Sequence, residues 1–460
     1  MASRTSALPP GRPGSRSARH AVTPPPRMVA LRRELADPLA RNGYALIANS
    51  AATGGLGVVY WLLVARVYPA AAVGVASAVY AAMNLLAGFT ALNFNGALTR
   101  FIPKAGRETG PLISRAYLVS IVASIGLAEL FLLTLRWWGP SYSELSGPLV
   151  GLIFVGCVVA WAIFTLQDSA LIGLRGAFWV FLENTLFGVA KIVLLIALAR
   201  VLPQHGGIYV SWMLPVIVAV PLINVLIFRK MVPRHVAATG DVQPPSRREV
   251  GRFLAGDYTG AMCLLATVSL IPVVVAARTS PAANAYFYVA WLIVGIVDMV
   301  GINMGMSLTV EGSFDAASLA VNGRKALRRV VSMLLPCAVL LAALAPWWLR
   351  LFGPGYAEHS TRVLELLAAA TLPRAVTEVY LGALRAQNRT SLVALIQAIR
   401  AVLMLGLCVI LAGTSGTVGA ALAVLATQVV IAVGISFGLW RVLTGNRKAA
   451  RQAAGKVGVR

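Results

Sequence analysis

Charge is what this sequence has least of. Asp, Glu, Lys and Arg make up 12% of its 460 residues, against roughly 25% in soluble domains. Only 16 residues are acidic. A chain this poor in charge cannot clothe itself in water, which excludes a soluble globular protein. Cysteine is scarce as well. Cys157, Cys263, Cys337 and Cys408 each fall inside an apolar run, where a thiol serves as small hydrophobic filling, so a disulfide scaffold is excluded. His20, His205, His235 and His359 are scattered over tails and loops, and no Cys or His spacing resembles a metal site. Neither zinc, haem nor any other cofactor is expected. There is no GxxxxGK[ST] loop, so ATP hydrolysis by a P-loop is excluded too.

What the sequence has instead is hydrocarbon. It is 58% hydrophobic, with a mean hydropathy of +0.78. The stretch from Asn42 to Pro103 is almost free of charge and long enough for two membrane spans of about 20 residues each. Arg66, Tyr68 and Pro69 mark the turn between them. About twelve such spans are expected, near 43–65, 71–94, 113–135, 148–171, 177–199, 207–228, 253–276, 284–308, 327–348, 363–384, 391–412 and 417–439. Gly54, Gly55, Gly57, Pro215, Pro221, Pro272 and Pro336 lie inside them, which membrane helices tolerate. Residues 1–41 are rich in Pro, Ser and Arg and read as a disordered basic tail, with a short interfacial helix over 28–39.

The net charge of +24 would suit nucleic acid, but no continuous basic surface remains once the spans are removed, so no nucleic-acid partner is expected. With the N-terminus inside, roughly 31 of the 40 basic residues fall in cytoplasmic tails and loops. Both termini are therefore expected in the cytoplasm, with the chain multi-pass in a cytoplasmic (inner) membrane.

The opening pattern returns about 210 residues later. Ala65-Arg66-Val67-Tyr68-Pro69-Ala70-Ala71 is echoed by Ala277-Arg278-Thr279-Ser280-Pro281-Ala282-Ala283, and Asn93, Leu98 and Thr99 by Asn303, Leu308 and Thr309. Gly139-Pro140-Ser141-Tyr142 matches Gly353-Pro354-Gly355-Tyr356. Asp168, Leu171, Leu174 and Arg175 match Glu378, Leu381, Leu384 and Arg385. One six-helix unit is used twice. Six is even, so the halves run parallel and leave a cavity between them. The expected fold is all-α: a six-helix lobe over 42–228, a polar cytoplasmic linker over 229–252, a second lobe over 253–440 and a basic tail over 441–460.

The segments "ARVYPAAAVGVASA", "LNFNGALTRFIP", "SPAANAYFYVAW" and "LFGPGYAE…LRAQNRT" resemble polysaccharide biosynthesis proteins of the oligosaccharide flippase type, within the multidrug/oligosaccharidyl-lipid/polysaccharide exporter superfamily. The resemblance spans about 43 to 440 and rests on structural rather than catalytic motifs. It implies export of a polyprenyl-pyrophosphate-linked oligosaccharide across the bacterial cytoplasmic membrane by alternating access of two lobes. Envelope glycosyltransferases and a polymerase would be its partners. A multidrug exporter of the same superfamily is the nearest rival and would favour acids over cations in the cavity. A membrane enzyme such as a polymerase needs a sizeable loop bearing carboxylates, and the outer connections are too short for one, so no enzymatic activity is expected.

Charges at membrane depth are costly and mark candidate sites. Lys191 and Arg400 could carry a diphosphate headgroup through a wet cavity, with snorkelling the plain alternative for Lys191. Arg374 lies one turn from Glu378, which suggests a local intrahelical pair. Asp298 could hold a proton or only a hydrogen bond. Glu183 with Asn184, and Glu129, are weaker candidates. Asp168 and Asp257 lie near cytoplasmic ends, where a solvated carboxylate needs no special role. Asn49, Thr53, Asn84, Asn93, Asn95 and Asn303 could bind sugar hydroxyls or serve helix contacts. Tyr286, Phe287, Tyr288 and Trp291 read as an interfacial belt.

Overall fold

The computed structural model describes residues 38–202, 205–240, 242, 244–246, 248–251, 262–263, 265–314 and 319–444, without the side chains of 38–44, 47, 92–93 and 310–314. Most of the two tails (1–37 and 445–460), nearly all of the expected interfacial helix and Asp257 lie outside the described residues. Among those described there is no strand. The helices are α1 (Pro38–Val67), α2 (Ala70–Phe101), α3 (Thr109–Leu133), α4 (Pro148–Gly173), α5 (Ala177–Leu198) and α6 (Gly206–Leu226). They continue as α7 (Ala266–Arg278), α8 (Pro281–Phe314), α9 (Leu319–Ala343) and α10 (Pro354–Ala386). An apparent single helix over Thr390–Thr444 is broken at Ser415 and Gly416, whose φ of −125° and 59° are not helical. It therefore counts as α11 (390–414) and α12 (417–444).

Eleven of the twelve expected spans coincide with helices whose ends are moved by up to nine residues, and the described part of the seventh, expected at 253–276, is a continuous helix only over Ala266–Arg278. Among the described residues, nine helices are long and apolar enough to cross a membrane when 390–444 is counted as one, and α7 and α10 are not among them. Helix α10 is 33 residues long but carries six charged residues, four of them at 358–374. Helix α6 does not stop at 228: it passes through a π-turn (Ile227–Met231) into a helix over Val232–Thr239 that carries Arg234.

The packing is inside out relative to a soluble bundle, because the surroundings are hydrocarbon. On α3 the face turned into the protein holds Ala116, Ser120, Ser124 and Ala128, while Leu118, Val122, Leu130 and Leu133 are exposed. Ser124 and Thr90 of α2 share a 2.9 Å hydrogen bond. Small and hydroxyl residues let membrane helices approach closely and satisfy one another. Helices α1–α6 pack as one lobe and α7–α12 as a second, joined mainly where α2 lies against α7 and α8.

The internal repeat is visible in the helix ends. Gly139 (φ 81°) and Gly353 (φ 143°) break the chain before corresponding segments, and Tyr142 and Tyr356 after them are both buried. The α4–α5 and α10–α11 turns share one cap. Gly176 N donates to Leu171 O (2.7 Å) and Arg175 N to Ile172 O (2.9 Å), while Arg389 N donates to Leu384 O (2.9 Å) and Asn388 N to Arg385 O (2.9 Å). These are two Schellman caps, with left-handed Arg175 and Asn388 at C′. The caps therefore equate Arg175 with Asn388, three residues beyond the Arg385 that side-chain matching selects. Backbone hydrogen bonds fix the end of a helix, and a matching Leu or Arg can sit a turn away.

Candidate functional site

Three clusters stand out: one in each lobe, and one where the lobes meet.

In the N-terminal lobe, Glu183, Phe187 and Lys191 follow one another at i, i+4 and i+8 on a single face of α5, and all three are buried. Lys191 does not snorkel outward. Its Nζ lies 3.9 Å from the Trp212 ring centroid, 4.8 Å from Phe187 and 5.0 Å from Tyr60. Such a cage attracts an ammonium through the ring quadrupoles. Among the described residues no acceptor or carboxylate partners this amine. Next to Glu183, Asn184 donates a 3.0 Å bond to Oδ2 of Asp168 on α4. Asp168 is not the solvated end-of-helix carboxylate that its position suggests. Its Oδ1, both Glu183 oxygens and the Tyr117 hydroxyl are enclosed without a hydrogen-bond partner.

The cage borders a pocket of about 120 Å³ whose walls include Trp61, Tyr80, Met83, Cys157, Trp212 and Met213. Tyr80 and Trp212 are 4.4 Å apart. Asn84 sits below this cluster, accepting a 3.0 Å bond from Trp161 Nε1, so its carbonyl is committed to helix packing.

In the C-terminal lobe, the expected Arg374–Glu378 pair is not formed. Arg374 crosses to Asp298 of α8 (2.6 Å), and Glu378 is taken by Arg400 of α11 (2.9 Å). Both pairs lie inside the lobe, where an i, i+4 pair along α10 would leave Asp298 and Arg400 as isolated buried charges. Arg400 is 1% exposed, and its Nε and Nη2 have no partner, nor does Arg374 Nε or Asp298 Oδ1. Where α8 crosses α10, Gly305 and Gly382 meet so closely that neither could bear a side chain, and Thr309 donates to Gly382 O at 3.2 Å.

The lobes are latched at the end that carries the α1–α2 and α7–α8 turns. Arg66 donates to the carbonyls of Leu351 (2.6 Å) and Arg350 (2.9 Å). Asn284 Nδ2 donates to Gly74 O (2.9 Å) and Ser77 Oγ (3.2 Å), and Ser141 Oγ to Ala276 O (3.2 Å). A Cβ on Gly74 would overlap the Pro281 carbonyl. Phe287 and Tyr288 are buried here rather than in an interfacial belt, because this face of α8 packs across the lobe boundary. Tyr288 lies 4.8 Å from Trp61. Toward the opposite end Asn303 is exposed and Asn49 half-buried, while the side chain of Asn93 lies outside the described residues. Among the described residues, no group of three or more His, Cys, Asp or Glu could hold a metal ion.

This architecture is that of a known class of membrane proteins. The chain superposes on a multidrug resistance MATE family transporter of the MOP superfamily in its inward-facing conformation with a TM-score of 0.66 at 16% identity, covering 86% of this chain and 95% of that one. Against an outward-facing conformation of such a transporter the TM-score is 0.55 at 15% identity, covering 89% and 96%. A MOP superfamily transporter from Pyrococcus furiosus, described as having a binding pocket of reverse polarity that suggests a different function, gives 0.53 at 14%, covering 89% and 95%. Identities this low establish the fold. No protein-family model and no curated protein matches the sequence.

Proposed function

We propose that this chain is an alternating-access exporter of amphipathic organic molecules. The observation that carries the reading is the charge balance inside the lobes. Arg374 and Arg400 are each neutralised in place by a carboxylate, while among the described residues no ion pair joins Asp168 or Glu183 to a cation. An anionic diphosphate needs the opposite. The aromatic pocket, with methionines at its edge, suits flat apolar or cationic compounds through dispersion and cation–π attraction. This supports the multidrug exporter over the lipid-linked sugar that the sequence resemblance favours. The inter-lobe latch and the better superposition on an inward-facing neighbour support a resting state open on the side opposite the latch.

The test is accumulation of a fluorescent lipophilic cation by cells lacking their own exporters. Expression of the full chain should lower accumulation, and Trp212→Ala should abolish the effect at equal membrane abundance. Unchanged accumulation in cells holding the inserted protein refutes the reading.

One observation favours a second reading, export of a polyprenyl-pyrophosphate-linked oligosaccharide from the bacterial cytoplasmic membrane. Among the described residues Lys191 is a buried cation without a counter-ion, and the similar Pyrococcus furiosus transporter is described by the reverse polarity of its pocket. On this reading Lys191→Met abolishes flipping of the lipid-linked sugar in vesicles; wild-type flipping by that variant refutes it.

A further inference from the structure

Helix α9 carries its charge where α3, its counterpart in the first unit, does not. In the first unit Lys104 and Arg107 lie in the connection before α3, and the helix itself has one cation, Arg115, paired with Glu108 at 3.7 Å. In the second unit no Lys or Arg occurs between Arg278 and Arg324. Four then follow on the helix itself: Arg324, Lys325, Arg328 and Arg329, all exposed. Orientation in the bilayer is served as well by cations in a loop as by cations on a helix, so it does not explain this placement.

The four form two pairs, Arg324 with Arg328 and Lys325 with Arg329, each at i, i+4, where like charges repel. Helix α9 has no Asp or Glu to relieve them, and among the described residues no ion pair involves any of the four. The opposite face is committed to packing, with Leu319, Gly323, Val330, Leu334 and Ala338 buried. Beside it Gly323 meets Leu443 of α12, which brings the exposed Arg441 to the same end of the lobe. The charged face runs on at helical spacing into Met333, Cys337 and Leu340, which are exposed as well.

Depth fits this face to lipid. Helix α9 ends at Ala343, and the chain beyond it leads to the Arg350 and Leu351 carbonyls of the latch. Trp347 and Trp348, exposed in that stretch, mark one membrane interface. At 1.5 Å per residue Arg324 lies about 28 Å from Ala343 and Arg329 about 21 Å, against a hydrocarbon layer about 30 Å thick. Arg324 and Lys325 therefore stand level with the opposite headgroups. Arg328 and Arg329 lie about a turn deeper, from where their long stems reach back to that level. An anionic headgroup there supplies the missing counter-charge, and a guanidinium fork matches phosphate oxygens. We propose that this face of α9 is a docking site for an anionic diacyl phospholipid, its phosphate held by Arg324, Lys325, Arg328 and Arg329 and its acyl chains lying along Met333, Cys337 and Leu340. The site is independent of what the chain exports.

The test is thermal unfolding of the full-length purified chain in detergent, with phosphatidylglycerol or phosphatidylcholine of equal chain length added. Phosphatidylglycerol should raise the melting temperature of wild type by several degrees more than phosphatidylcholine does. The Arg324→Gln/Lys325→Gln/Arg328→Gln/Arg329→Gln variant should lose that difference, and Lys104→Gln/Arg107→Gln, which removes loop cations, should keep it. Equal melting temperatures in the two lipids overturn the proposal, as does a difference that survives in the quadruple variant or disappears in the loop variant. Glycerol 1-phosphate, a headgroup without chains, should not stabilise; if it matches the lipid, the face takes a soluble anion and the proposal falls. Should the quadruple variant fail to fold, native mass spectrometry of Arg328→Gln/Arg329→Gln decides. From an equimolar mixture, wild type should retain severalfold more phosphatidylglycerol than phosphatidylcholine, and the double variant similar amounts of each; an unchanged ratio overturns the proposal.

Discussion

Arg400 and Lys191 are both buried cations, and their surroundings make opposite forecasts. Arg400 is held by Glu378, so Arg400→Ala strands a buried carboxylate and should destabilise the protein by about 3–5 kcal/mol. Adding Glu378→Gln should restore most of that loss, as read by thermal unfolding of purified protein. A stable Arg400→Ala protein would mean that the pair carries no structural weight. Among the described residues Lys191 has only rings around it, worth about 2 kcal/mol or more when desolvated, against a cost of several kcal/mol for burying an unpaired charge. Lys191→Met replaces an unpaired amine with an apolar chain of similar length, so its melting temperature should be unchanged or higher. A fall of many degrees would reveal a polar partner that the cage geometry does not contain.

The contact between α2 and α8 decides how the lobes meet. Gly74 admits the Pro281 carbonyl where any side chain would collide, and Asn284 ties the two helices by hydrogen bonds. A Ser77→Cys/Asn284→Cys pair in a background lacking the native cysteines should cross-link readily with a short bifunctional thiol reagent, since Asn284 Nδ2 lies 3.2 Å from Ser77 Oγ. Gly74→Ala in the same background should cut that yield severalfold by forcing the helices apart. Equal yields with and without the added methyl would show that this contact does not latch the lobes.

Across the whole molecule, basic residues and the repeat make forecasts about orientation and symmetry. Reporters fused after Arg115, Arg234 and Arg441 should lie in the cytoplasm, and those after Ser141, His205 and Tyr356 outside; two on the wrong side would reverse the topology. That orientation places the inter-lobe latch made by Arg66 and Asn284 at the outer surface.

The sequence by itself determined where the helices lie, because bilayer thickness fixes span length and every span had to be apolar; eleven of the twelve expected spans fall on helices whose ends shift by up to nine residues, and the seventh is described only over its second half. It also held one contact that was legible from a turn: Glu378 and Arg400 are equidistant from the α10–α11 turn, and an antiparallel hairpin sets such residues side by side. Only tertiary structure decided the rest. Arg374 could reach Glu378 along its own helix or Asp298 across to another, and the choice fell to the close α8–α10 crossing at Gly305 and Gly382. Lys191 met its cage because α1 and α6 bring Tyr60 and Trp212 from 131 and 21 residues away in the chain. Hydropathy fixes how deep each residue lies in the membrane, but which residue it faces there depends on how the helices are rotated and crossed.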